Sequence, residues 1–173
     1  MAWIFSLSAE IGSDEKSAII FAGYFQWLTY IDYKTRQYQC RVDTFRDIEN
    51  NWWCRVYPNN ISEVGIDHPK TAGLMTELGN LLYEHLHSVN LLCEDKGFLF
   101  PFRYALVGVE VDEFRTYSEL IEDLPNLSIP GLVLSTELTQ GLETLSGFQE
   151  FSSGYIWQPY KGEVYHPSMA LQT

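Results

Sequence analysis

The sequence predicts one α+β domain, a mixed and mostly antiparallel sheet packed against one long helix and two or three short helices. Residues 71–89 repeat apolar side chains at spacings of three and four. Residues 2–57 instead break into β-branched and aromatic runs separated by turn residues. Residues 103–158 interleave short apolar runs with helix-start signals. A chain of 173 residues fits a single domain over 1–173, with Glu94-Asp95-Lys96-Gly97 as an internal loop.

In chain order, residues 2–11 read as a strand, since Trp3, Phe5 and Leu7 alternate with Ile4, Ser6 and Ser8 before Gly12-Ser13-Asp14. Residues 18–33 are ambiguous: Ile20, Tyr24, Trp27 and Ile31 fit a helical stripe, but the β-branched and aromatic content favours a strand. Strand is the expectation, with Lys34-Thr35-Arg36 turning into a second antiparallel strand in which Tyr38, Cys40, Val42 and Thr44 alternate with polar residues. Trp52 to Tyr57 is a further strand closed by Pro58-Asn59-Asn60. The long helix, Thr71 to Val89, carries Leu74, Leu78, Leu81, Leu82, His85 and Val89 on one face, with Pro69 ahead of it. Gly73 and Gly79 each weaken it by ~1 kcal/mol relative to Ala, which points to close packing against the sheet.

Arg103 to Val111 reads as a central strand. Thr116-Tyr117-Ser118-Glu119 is a capping box opening a short helix that Pro125 ends. Gly131 to Leu134 is a buried strand, Ser135 caps a helix over Thr136 to Leu145, and Phe148 to Gln158 resumes strand character. That alternation suggests α/β crossovers in the second half, beside an antiparallel meander in the first.

Composition bounds the function. The chain is 46% hydrophobic and 15% aromatic, so it can bury a core without metal or disulfide. Cys40, Cys54 and Cys93 are odd in number and widely spaced, which argues against a disulfide framework or a structural zinc site. Met1 to Glu10 lacks a basic flank, and no run of ~18 apolar residues is uninterrupted, so a soluble cytoplasmic protein is expected. The net charge of −12 disfavours direct contact with nucleic acid or an anionic membrane. Two-thirds of that excess lies in residues 104–150, where Arg115 alone faces Glu110, Asp112, Glu113, Glu119, Glu122, Asp123, Glu137, Glu143 and Glu150.

Chemistry-bearing motifs are weak. There is no GxxxxGK(S/T), no GxGxxG at a strand–helix junction and no GxSxG, so neither a phosphate cradle nor a nucleophile elbow is expected. Cys93 follows a helix bearing His85 and His87, but Glu94 and Asp95 would raise its thiol pKa. His85 and His87 point roughly 200° apart on a helix and cannot chelate together. Glu84 and His87 share a face, but only one E-x-x-H pair is present where a di-iron site needs two. No metal or cofactor is expected.

The strongest signal is the acidic cluster. Carboxylates at Glu110, Asp112, Glu113, Glu119, Glu122, Asp123, Glu137 and Glu143, beside Tyr117, Trp157 and Tyr160 as aromatic anchors, fit a surface that captures a basic protein. The expected function is non-enzymatic sequestration of a toxin or nucleic-acid-binding protein, most naturally by an immunity protein covering a cognate nuclease. Reversing Glu119, Glu122 and Asp123 to Lys is expected to slow association and leave the fold intact. Two rivals stand beside it. One is a small enzyme using Glu110, Asp112, Glu113, His85 or Cys93; the other is a scaffold subunit docking through Pro159–Thr173 and an exposed apolar patch.

Overall fold

A computed structural model describes residues 4–25, 30–33, 36–59, 69–142 and 145–162. Lys34 and Thr35 of the expected turn, His68, Glu143, Tyr165 and His166 lie outside them. Among the described residues eight strands form one sheet: β1 (Phe5–Gly12), β2 (Tyr30–Tyr33), β3 (Arg36–Arg46), β4 (Trp52–Pro58), β5 (Tyr104–Val109), β6 (Val133–Ser135), β7 (Gln149–Ser152) and β8 (Tyr155–Trp157). Their order is β2-β3-β4-β1-β5-β6-β8-β7. Three α-helices accompany them among the described residues: α1 (Glu15–Phe25), α2 (Pro69–Asp95) and α3 (Tyr117–Asp123). The α+β class, the antiparallel sheet and the single long helix are as the sequence predicts.

The layers follow from strand alternation. On central β1, Phe5, Leu7, Ala9 and Ile11 join a core with α1 and α2 through Phe21, Phe25, Leu78, Leu82 and Leu86. On the opposite face, Trp53, Tyr104, Leu106 and Leu134 pack beneath α3 and the turn after it, through Leu120 and Leu124. Ser6, Ser8 and Glu10 are also fully buried. The two serine hydroxyls bond each other at 2.9 Å, and Arg103 grips Glu10 through two hydrogen bonds, Nε to Oε1 at 2.8 Å and Nη2 to Oε2. The Arg103 guanidinium also lies 3.7 Å from the centroid of the Tyr117 ring, so this buried pair anchors the start of α3.

Five expectations change. Residues 18–25 of the strand expected over 18–33 are helical, within α1, because Ala18, Phe21, Ala22 and Phe25 form the buried stripe while Ile19 and Ile20 face solvent. The expected helix over 136–145 is a 3-10 turn of four residues, Thr136–Thr139. Ser135 does cap it, but the Thr139 hydroxyl bonds the Thr136 carbonyl and Gln140 turns extended. No parallel crossover occurs among the described residues: β5 pairs β6, β6 pairs β8 and β7 pairs β8, all antiparallel. The strand expected over 148–158 is therefore a hairpin turning at Ser153-Gly154. Finally, Gly79 packs closely, but against Tyr160 rather than the sheet, and Gly73 faces open space.

One detail of the sheet shapes what lies beside it. The β5–β6 ladder holds only Tyr104↔Leu134 and Ala105↔Val133, and continuing that register would oppose Val107 to Gly131. Between them sits the Tyr83 hydroxyl of α2. It accepts from Val107 N at 3.1 Å and donates to the Gly131 carbonyl at 2.8 Å, so a side chain stands in for a ladder bond. Gly131 has φ +91, and a Cβ there would lie 2.3 Å from that hydroxyl, so the wedge requires glycine.

Candidate functional site

The acidic residues are not gathered at one place. Glu110 bonds through its N–H to the Ile4 carbonyl, where β5 ends and β1 begins. Glu137 follows Ser135, whose N–H bonds the Arg103 carbonyl at the other end of β5. Six strand residues, roughly 20 Å, separate these ends. Between them, residues 110–117 run back across the α3 face. Glu110 (φ 55) and Glu113 (φ 57) adopt left-handed backbone at that reversal. Tyr117 lies on the α3 side, whereas Trp157 and Tyr160 lie on the α2 side.

Several of these carboxylates have structural work. Arg55 bonds Asp43 and reaches Asp112 at 3.2 Å. Arg115 reaches Asp123 at 3.1 Å. Glu119 completes the capping box, accepting from Thr116 N at 2.9 Å while the Glu119 N–H donates to Thr116 Oγ1. Those hydrogen bonds hold its carboxyl below the usual range. Glu110, Glu113, Glu122 and Glu137 are exposed and have no ion pair among the described residues. Partial burial raises the Glu113 carboxyl, with Asp47 and Asp112 adding to the effect.

The groups of the enzymatic alternative do not converge. Cys93 is fully buried and its thiol is pushed up to about 11, so it stays protonated at neutral pH. His85 is half-buried, and desolvation lowers its pKa. Among the described residues, no three His, Cys, Asp or Glu side chains are grouped to hold a metal. No helix among them is long and apolar enough to cross a membrane.

A cleft of about 740 Å³ opens between α2 and the β7–β8 hairpin. Glu77, Glu84 and Glu150 line it with Tyr83, Phe151 and Trp157. Helical geometry explains one wall, because Glu77 and Glu84 are seven residues apart and stack on one side of α2, about 10 Å along its axis. A β-bulge explains the other. Register shifts between Glu150 and Ser152, so consecutive residues Glu150 and Phe151 both reach the cleft. The aromatic rings interlock edge to face: Tyr83 and Trp157 at 5.1 Å, Phe151 and Trp157 at 5.0 Å, and His87 and Phe151 at 5.8 Å. At the back, Asn90 Nδ2 donates to Ser152 Oγ at 3.0 Å, tying helix to hairpin.

No protein family, curated protein or solved structure matches the chain.

Of the residues singled out in the sequence, the cleft takes up Glu84, His87, Glu150 and Trp157. Tyr160 packs on Tyr83 beside it, with ring centroids 5.1 Å apart. Sequence reasoning missed Glu77 and Phe151 as site residues, and read Glu150 as part of the acidic stretch 104–150 rather than of a cleft. The i, i+7 spacing of Glu77 and Glu84 was a readable signal. Their meeting with a strand some seventy residues later was not.

Proposed function

We propose that this protein is a non-enzymatic binding protein that sequesters a basic protein partner, in the manner of a cytoplasmic immunity protein that neutralises a toxin such as a nuclease. One observation carries the reading: Glu110, Glu122, Glu137 and Glu150 are exposed on a well-tied scaffold, and no described basic side chain neutralises them. Carboxylates so placed sustain a negative field in solution, which speeds encounter with a basic surface and rejects acidic ones. Their spread over both sheet ends and both faces suits a partner with a broad positive surface, such as a protein that grips nucleic acid.

The experiment is affinity capture of the tagged protein from lysate of its native host at low salt. A stoichiometric basic protein that is released as salt rises, and whose activity the purified chain suppresses, is the expected result. Failure to retain any basic protein, or retention indifferent to salt, would overturn the reading.

The charge reversal that tests the electrostatics must avoid residues that hold the fold. Glu119 caps α3 and Asp123 pairs with Arg115, so reversing them perturbs folding as well as field, contrary to the sequence-based expectation. Glu110, Glu122 and Glu137 are the clean set. The variant E110K/E122K/E137K should fold normally and associate about tenfold or more slowly at low salt, with a flatter salt dependence, as read by stopped-flow mixing with the captured partner.

A further inference from the structure

The cleft between α2 and the β7–β8 hairpin has a chemistry narrower than general acidity. We infer that it is an anchor site for a single arginine side chain of the basic partner. The inference rests on the sequestration reading and names the group that this part of the surface recognises.

The cleft has three carboxylates and no lysine or arginine among its described lining residues. Glu77, Glu84 and Glu150 are exposed and take no described ion pair. They come from two elements, so they surround the opening rather than forming a flat stripe. Behind them, Phe151 and Trp157 are half-buried and line the same space. A cation entering here meets acceptors at the rim and aromatic surface within.

That pairing favours guanidinium over ammonium. A guanidinium is planar and weakly hydrated; it can lie on an aromatic ring while its forked N–H groups reach carboxylates. An ammonium is compact and strongly hydrated, and surrenders more solvation on entering an aromatic-walled space. The volume, about 740 Å³, accommodates a long side chain with its stem. The structure already uses the same chemistry internally, since Arg103 stacks on Tyr117 while holding Glu10. The walls are tied by the Asn90–Ser152 bond and the Tyr83 wedge, so the guest meets a largely formed site and little ordering cost opposes it.

The test uses the full chain and three blocked pentapeptides, identical except for a central arginine, lysine or citrulline. Citrulline is a neutral near-isostere of arginine. Binding is read by ¹H–¹⁵N NMR at the Trp157 indole and at the amides of Glu84, Glu150 and Phe151. The arginine peptide should give saturable shifts confined to the cleft, the lysine peptide weaker ones, and citrulline none. E84Q/E150Q should weaken the arginine peptide about tenfold, with an otherwise unchanged spectrum. Shifts centred elsewhere, equal response to citrulline, or equal affinity for lysine and arginine would overturn the assignment. Partner capture separates this idea from the broader one. If E84Q/E150Q abolishes peptide binding but capture persists undiminished, the anchor role fails and sequestration stands. If the peptide binds and no basic protein is ever captured, sequestration fails and the cleft remains an arginine site.

Discussion

Glu10 is fully buried on the central strand, and Arg103 is what makes its charge tolerable. Removing one partner of such a pair strands the other in a poor solvent. Arg103→Ala should therefore lower stability by about 3 kcal/mol at neutral pH, measured by urea unfolding. The deficit should depend on pH in a definite sense. Burial already raises the Glu10 pKa above 4.5, with Arg103 opposing that rise, so its loss raises the value further. The folded variant then keeps a proton that the unfolded chain releases. Its deficit should be smallest near pH 4.5 and below, and grow as pH climbs through the raised value. A deficit independent of pH would mean that Glu10 is solvated in the variant. Glu110 makes the opposite case. Its left-handed backbone costs about 1 kcal/mol that glycine avoids. Glu110→Gly should raise the melting temperature and slow association with the partner, and a change in only the first would remove Glu110 from the docking surface.

Local signals decided which elements were readable. The capping box at Thr116 and Glu119 appears as its spacing predicts, because those contacts span only three residues. Thr116→Ala should cost about 1 kcal/mol in thermal or urea unfolding, through loss of that cap. The misread segment was α1. Its apolar residues are so dense that the exposed Ile19 and Ile20 mask the stripe, and the alanines at 18 and 22 that pack it look unremarkable beside them. A start signal was nevertheless present: Asp14 accepts from Lys16 N and from the Ser17 hydroxyl, as residues at a helix entrance do. The 3-10 turn after Ser135 shows the reverse error, a correct cap followed by residues that do not propagate. The cleft was legible only in half. Glu77 and Glu84 lie on one predicted helix face, but a bulge at Glu150 depends on pairing across the hairpin and leaves no mark in local spacing.

At the scale of the molecule, acids concentrated in one stretch of sequence are dispersed by the fold. Residues 110–117 double back over one face and β7 and β8 complete the sheet beyond β6, so a sequence-local cluster becomes several separate stations. Composition alone gives the sign and size of the charge; only topology gives its distribution, and with it the expectation of a broad partner surface anchored at one cleft. The Tyr83 hydroxyl has a use beyond bridging β5 and β6. Because the Val107 amide donates to a phenol instead of a peptide carbonyl, its proton resonance and its exchange with heavy water report directly on where α2 stands relative to β5. Tyr83→Phe should cost about 1–3 kcal/mol in unfolding and release the Val107 amide to exchange early. In the intact protein, a guest that settles between helix and hairpin should slow that exchange, giving the fold a built-in gauge of occupancy at a position no ligand touches.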